Sequence, residues 1–172
     1  VRQPWYTLAA QTPAQIVLPK GVWRRHMAPL PEAGLMIDQQ LYQVALPPDV
    51  PLAAAAALLN SAWFALQCEL QGRLNFGAGV LWLAGYELGQ VLLPDPRYLN
   101  GEQVDRLTAV FTVLAQRPQG NTDEELAQAD RAALDTAVFD ILGFSAAERQ
   151  ETLDALQDRL ATRQRTVRQT AR

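Results

Sequence analysis

The segment from Leu58 to Pro96 limits the possible fold more than any other part of the sequence. Apolar residues recur there at helical spacing as far as Gly72, after which a glycine-containing turn leads into an apolar run that ends at Pro94. Glycine readily ends a helix and proline interrupts strand pairing, so the segment is predicted to form a helix, a turn and a buried strand. Arg73 and Asn75 place a cation and an amide in that turn, beside backbone N–H groups that suit contact with a phosphate or a base.

Short runs of residues with strand propensity fill the first fifty positions, at 5–8, 16–18 and 35–46. A bend follows Pro19, and residues 21–27 continue the second strand beyond it. The first part of the chain is therefore predicted to be β-rich.

Helix signals dominate the remainder of the chain. A proline at its first position and apolar residues at helical spacing predict a central helix over 51–71. From residue 101 onwards the chain is predicted to be wholly helical, with capping boxes in which Thr122 and Ser145 are each followed three positions later by a glutamate. Gly143 separates the last two helices.

These elements predict the α+β class, with strands and helices packed around one core. The β-rich half, residues 1–100, is expected to form a core around the central helix over 51–71. Residues 101–172 are expected to form a helical subregion of the same domain.

Charge is distributed unevenly along the chain. The net charge of −3 argues against a protein that coats nucleic acid generally. Residues 1–31 nevertheless contain four basic residues and no acid, whereas 121–158 contain ten acids and two arginines. The five arginines of 159–172 are either a phosphate-binding arm or a solvated helix end, which the helix dipole favours.

Signals for catalysis are few. The single histidine, His26, and the single cysteine, Cys68, leave no pair for a disulfide and too few ligands for a structural zinc site. Cys68 lies on an apolar helix and is expected to be a small buried residue. The chain by itself is therefore expected to be non-catalytic, and a reducing, cytoplasmic setting fits its cysteine content.

The ends of the chain and its hydropathy give two further expectations. No uncharged apolar run is long enough to cross a membrane, so no membrane partner is expected. The chain does not begin with methionine and starts at a strand-like segment, which suggests a fragment or the tail of a longer protein, although removal of a tag would give the same start.

Two polar runs in the first half are candidates for nucleic-acid contact. On a strand, Arg24 and His26 would share one face while Arg25 pointed the other way. Such a ribbon either lies along a duplex groove or is an edge strand whose charges prevent aggregation, and the residues leave both open. His26 alone is expected to be a polar surface residue. Gln39 and Gln40 either contact adenine edges or form an ordinary polar surface.

Four segments, in order, resemble the C-terminal target-recognition region of bacterial N6-adenine-specific DNA methyltransferases and restriction-modification enzymes. The most specific of them contains a Leu-Leu-Asn-Ser helix, a Gly-Arg-x-Asn-x-Gly-x-Gly turn and a closing Pro-Asp-Pro. Together the four cover most of the chain. They are QPWYTL with IVLPKGVWRRHMAPL, then LMIDQQLYQV, then LLNSAWFALQCELQGRLNFGAGVLWLAGYELGQVLLPDP, and finally LDTAVFDILGFSAAERQETLDAL.

The resemblance implies a domain related in architecture to the specificity modules of type I restriction systems. Its partner would be double-stranded DNA in a bacterial cytoplasm. The methyl donor, S-adenosylmethionine, would bind a methyltransferase catalytic domain in cis or in trans, so this chain itself would bind no cofactor. The motifs of that catalytic domain are missing here. Gln39 and Gln40 stand where asparagines are commoner in the family.

The resulting hypothesis combines phosphate contacts with recognition in a DNA groove. Lys20, Arg24, Arg73 and the glycine turn would hold phosphates, while the strand region from Arg25 to Gln40 would contact the bases. The residues expected to bind DNA are Lys20, Arg24, Arg25, His26, Gln39, Gln40, Arg73, Asn75, Gly77 and Gly79.

Two rival functions remain open at this point. In the first, the acidic helical half docks the catalytic domain or a partner subunit, and no DNA is contacted directly. The second is a small-ligand or enzyme domain, which would need a convergent polar cluster that the sequence does not show.

Overall fold

The computed structural model of the chain describes residues 12–31, 35–76 and 79–170, with the backbone alone for 75, 76 and 166–170. The α+β class is confirmed, with the strands in the first half and helices throughout the second. A short 3-10 helix spans Pro96–Tyr98. The strands are β1 (Ile16–Pro19), β2 (Gly21–Val22), β3 (Leu41–Val44), β4 (Arg73–Phe76) and β5 (Val80–Trp82). The helices are α1 (Leu52–Leu59), α2 (Ala62–Gln71), α3 (Gly85–Leu88), α4 (Gly101–Leu114), α5 (Thr122–Glu125), α6 (Ala129–Leu142) and α7 (Ala146–Thr170).

The strands form two small antiparallel sheets. One pairs β1 with β3, and the other has the order β2-β5-β4. The chain bends at Lys20 between β1 and β2, so that one nearly continuous strand contributes to both sheets. The strand predicted over 21–27 ends at Val22, and the strand predicted over 35–46 is limited to β3. Arg73 and Asn75, predicted to lie in a turn, instead belong to β4.

The helix predicted over 51–71 is divided into α1 and α2 by two polar residues. The side chain of Asn60 accepts a hydrogen bond from Ala28 N–H at 2.9 Å and donates to the Ala28 carbonyl at 2.9 Å. Ser61 then caps α2, because its hydroxyl accepts from the N–H of Phe64 at 3.2 Å. Asn60 thus fastens the returning segment around Ala28 to the break between the helices.

Two glycines end helices for different physical reasons. Gly143, at φ +71°, provides the left-handed cap between α6 and α7 that the sequence predicts. Gly72 has φ −73°, which any residue adopts. A Cβ atom at Gly72 would lie 2.7 Å from Cγ of Leu81 and 2.9 Å from the carbonyl oxygen of Cys68. Close packing of α2 against β5 therefore requires glycine at this position.

One of the two predicted capping boxes is confirmed and the other is displaced. The carboxylate of Glu148 accepts from the Ser145 N–H at 2.8 Å, as the spacing predicts. At α5 the reciprocal residue is Glu124, which accepts from the N–H of Asn121 at 3.0 Å. Thr122 is instead buried and contacts the first half of the chain.

The main hydrophobic core draws on both halves of the chain. It joins Leu58 of α1 and Leu81 of β5 to Leu107 of α4 and Val138 of α6. A second cluster lies between α2, α6 and α7. The helical half is thus part of the packing that supports the strands. None of the helices in the described ranges is long and apolar enough to span a membrane.

Candidate nucleic-acid interface

A groove of about 690 Å³ runs along the bent ribbon of β1, β2 and the segment that returns beside them. Every odd-numbered residue from 17 to 31 contributes to its walls: Val17, Pro19, Gly21, Trp23, Arg25, Met27, Pro29 and Pro31. Alternate residues of an extended chain share a face, which explains this pattern. The N–H of Val17 donates to the carbonyl of Pro29 at 3.1 Å and so joins the two sides of the ribbon.

This alternation shows that the groove is one face of the ribbon, and Arg24 is an even-numbered residue of the same stretch that also lines it. Apolar side chains form most of the groove, and the polar side chains of the described lining are Arg24, Arg25 and Asn121.

Arg24 and Arg25 carry charges that no carboxylate of the described ranges neutralises. No acid is among the described residues that line the groove. Seven other arginines of the described ranges are paired with carboxylates, whereas Arg159 and Arg165 of α7 are not. The paired arginines are Arg73, Arg97, Arg106, Arg117, Arg131, Arg149 and Arg163. In a protein of net charge −3, two adjacent uncompensated arginines favour an anionic ligand at this groove.

Trp23 is an exposed aromatic residue at the same place. Its exposed fraction is 60%, and the Arg24 guanidinium lies 5.3 Å from the centroid of its ring. Trp23 is not among the residues predicted from the sequence to bind DNA. The signal that would have found it is the alternation of apolar residues through the Trp-Arg-Arg run, which places Trp23 on the face of Pro19 and Met27.

The backbone that carries these side chains is fixed by hydrogen bonds from distant elements. The Arg163 guanidinium, from α7, donates to the carbonyl of Val22 at 3.1 Å and also to that of Trp23. Thr122 of α5 donates its N–H to the Arg24 carbonyl at 2.9 Å. Its hydroxyl oxygen accepts from the N–H of His26 at 2.8 Å. Trp23, Arg24 and Arg25 therefore project from a firmly held backbone.

A buried ionic network lies beneath this segment. Oε1 of Glu69, a residue of α2, accepts a hydrogen bond from Nη2 of Arg163 at 2.6 Å. The same oxygen lies 2.7 Å from Nε2 of His26. The side chains of Glu69 and Arg163 are only 3% and 5% exposed. The prediction that His26 lies on the surface is wrong, because its ring fills this interior site and does not face the groove.

The protonation states in the network follow from burial and charge. Burial lowers the pKa of His26, and this effect is larger than the opposite effect of the Glu69 carboxylate, which raises it. Burial alone would raise the pKa of Glu69, but the hydrogen bond from His26 and the charge of Arg163 together lower it. At neutral pH the network is thus a neutral histidine, an ionised carboxylate and a guanidinium. Because a carboxylate only accepts, Nε2 of His26 carries the hydrogen.

Lowering the pH below about 6.5 is expected to destabilise the fold through His26. The unfolded chain takes up a proton at this residue near pH 6.5, whereas the folded chain does so only at lower pH. The groups that act on the ring are Glu69 of α2, Arg163 of α7 and Arg131 of α6. The free energy of unfolding should fall by up to about 1.4 kcal/mol per pH unit. Urea unfolding between pH 7.5 and 5.5 measures this slope.

His26→Gln is the control for that experiment. Since His26 is the only histidine, the variant should lose most of the slope over this pH range. An unchanged slope in His26→Gln would show that another group is responsible.

The remaining predicted contacts are spread over two faces. Arg73 forms an ion pair with the buried Glu87, and its guanidinium lies 5.5 Å from the Tyr86 ring centroid. In the sheet register, Arg73 lies opposite Trp82, and Trp82 lies opposite Gly21. Arg73 is therefore on the same face of the sheet as the groove, at the edge formed by β4. Its charge is largely compensated there.

Lys20 and the glutamines lie at the end of the β1–β3 pair. The Lys20 ammonium is 4.9 Å from the ring centroid of Tyr42, and Lys20 N–H donates to the Gln40 carbonyl at 3.1 Å. Gln39 and Gln40 are exposed in the turn before β3. Lys20 alternates with Pro19 and Gly21 and therefore points away from the groove.

The glycine turn meets the groove segment through Arg163. The Gly79 carbonyl accepts from Nη1 of Arg163 at 3.0 Å, so the turn lies beside the backbone of Trp23. Gly79 has φ +71°, which favours glycine. Gly77 and the side chain of Asn75 lie outside the described residues.

The described groups offer little for covalent or metal chemistry. Cys68 is buried as predicted, and burial raises the pKa of its thiol to about 12. A thiol with this pKa remains protonated and is a poor nucleophile. Within the described ranges, no three histidine, cysteine or acidic side chains are placed to hold a metal ion.

Comparisons with protein-family models, with curated proteins and with solved structures find no match to this chain.

Proposed function

We propose that this chain is a DNA-binding target-recognition domain of an adenine-specific DNA methyltransferase or restriction-modification enzyme. The observation that carries DNA binding is the pair of uncompensated arginines, Arg24 and Arg25, beside exposed Trp23 on a groove whose described lining contains no acid. Arginine suits phosphate, and an exposed indole suits a base. The assignment to methyltransferases rests on the sequence resemblance described above.

In this proposal the groove ribbon contacts DNA while a separate catalytic domain transfers the methyl group. S-adenosylmethionine would bind that catalytic domain, present in cis or in trans in a bacterial cytoplasm. Arg73 has a smaller role than the sequence suggested, because Glu87 already neutralises it. His26 supports the contact segment from the interior.

The Arg24→Gln, Arg25→Gln double variant tests DNA binding. Its affinity for a random 30-mer duplex should fall because two phosphate partners are lost. The slope of log affinity against log salt concentration should decrease by about 0.9 for each lost phosphate contact. Fluorescence anisotropy at several salt concentrations measures both quantities.

A matched control removes the same charge elsewhere. Arg97 and Arg106 are half-exposed and are paired with Asp95 and Asp140. Changing both to glutamine should leave the salt slope almost unchanged. Equal losses of DNA affinity and of salt slope in the two double variants would indicate a general charge effect and contradict a specific site at the groove.

An acidic stripe on α7 favours a second candidate function, docking of a basic protein surface. Glu151, Asp154 and Asp158 are exposed and recur at a spacing that places them on neighbouring parts of one helix face. None of them forms an ion pair within the described ranges. This stripe would be the docking surface for a catalytic domain or a partner subunit. Absence of salt-dependent DNA binding by the unmodified chain would favour this function over DNA recognition.

A further inference from the structure

We propose that the groove binds an unpaired nucleotide, with its base against Trp23 and its phosphates at Arg24 and Arg25. The inference rests on the proposed DNA-binding function and specifies the form of DNA that the site takes. Extrahelical and looped-out bases belong to this class of ligand.

Trp23 presents an open aromatic surface at the groove. Its indole is 60% exposed, although most large apolar residues of the ribbon are at least half-buried. The π face of an indole is a general partner for a base, because every base has a π face. In an intact duplex, neighbouring base pairs already cover both faces of each base. Only an unpaired base can therefore stack fully on Trp23.

The described walls of the groove are mostly apolar. Pro19, Met27 and Pro29 provide apolar surface, while Asn121 supplies the neutral polar side chain of the described lining. Such walls accept the faces of a base and offer few hydrogen bonds to its edges. The site is therefore expected to bind an unpaired base with little dependence on its identity.

The charges at the groove complement a nucleotide backbone. Arg24 and Arg25 follow Trp23 directly in the chain, and no acid is among the described residues that line the groove. Successive phosphates flank each base in a strand, so a cationic pair adjoining a stacking surface matches one nucleotide and its backbone. The hydrogen bonds from Arg163 and Thr122 hold this segment before the ligand arrives, which reduces the ordering that binding requires.

Three labelled 30-mer duplexes test the inference with the full chain. One is fully paired, one has a central single-nucleotide bulge, and one has the same bulge without its base. We expect the bulged duplex to bind about tenfold more tightly than the paired one, the size expected of one base–aromatic stack. The abasic bulge should lose this preference, because it keeps the phosphate and the bend but lacks the base.

Variants at Trp23 locate the effect. Trp23→Ala should abolish the preference for the bulge, while Trp23→Phe should retain most of it. Tyr98→Ala is the matched control, because Tyr98 is 84% exposed and the Arg97 guanidinium lies 6.0 Å from its ring centroid. That variant should keep the full preference. Thermal unfolding of each variant checks that the fold persists.

The outcomes separate this inference from the function on which it rests. Salt-dependent binding that is equal for all three duplexes would overturn the unpaired-nucleotide site and leave DNA recognition standing. A preference for the bulge that survives in Trp23→Ala would also overturn it. Absence of binding to every duplex would overturn both proposals.

Discussion

Replacing Glu69 with alanine is expected to lower the free energy of unfolding by about 3–5 kcal/mol. The change removes the one carboxylate among the described residues that contacts the buried guanidinium of Arg163, at 2.6 and 3.1 Å. It also removes the partner of the His26 ring. Leaving a buried charge without its partner costs far more than the intact pair contributes, because the charge is still withheld from water.

Urea unfolding at pH 7 measures this loss, and Glu151→Ala is a matched control. Glu151 is an exposed glutamate on α7, so its removal should change the free energy of unfolding by less than about 0.5 kcal/mol. In a double-mutant cycle, Glu69→Ala combined with Arg163→Ala should cost less than the sum of the single changes. A loss below about 1 kcal/mol for Glu69→Ala, or strict additivity, would contradict the predicted coupling.

Replacement of Asn60 by alanine is expected to lower the free energy of unfolding by about 2–4 kcal/mol, because two buried backbone groups lose their hydrogen-bond partner. The N–H and the carbonyl of Ala28 both bond to the Asn60 side chain, and Ala28 is fully buried. Asn60 also donates to the carbonyl of Ala56 at 2.8 Å. An alanine side chain satisfies none of these groups.

Chemical denaturation of Asn60→Ala and Asn100→Ala compares a buried and an exposed asparagine. Asn100 caps α4, because its side chain accepts a hydrogen bond from the N–H of Gln103 at 2.9 Å. Removing such a cap typically lowers the free energy of unfolding by about 1 kcal/mol. Asn60→Ala should therefore be clearly the less stable variant. Equal losses in the two variants would mean that water replaces the Asn60 contacts, contrary to its burial.

Both predictions concern contacts that support the groove. Asn60 holds the returning segment at Ala28, and Glu69 with Arg163 holds the backbone of Val22 and Trp23. Loss of either support should loosen the ribbon that carries Arg24 and Arg25. The proposed DNA-contact surface therefore depends on residues that do not face it.

Much of the local structure could be predicted from the sequence. The break at Gly143, the capping pair of Ser145 and Glu148, and the α+β class all follow from residues within a few positions of each other. Such features depend on backbone preferences and short-range hydrogen bonds, which sequence patterns record directly. The helix division at Asn60 was missed, because its cause is a contact with Ala28, 32 positions away.

The candidate site shows the same division between local and long-range information. The amino-acid sequence is enough to show that Arg24 and Arg25 form a basic run in a segment without acids. Three further features follow from long-range contacts: Glu87 neutralises Arg73, His26 turns inward to Glu69, and Arg163 holds Trp23 from 140 positions away. Burial and charge compensation depend on which distant groups meet in space, and a single sequence does not specify those pairings.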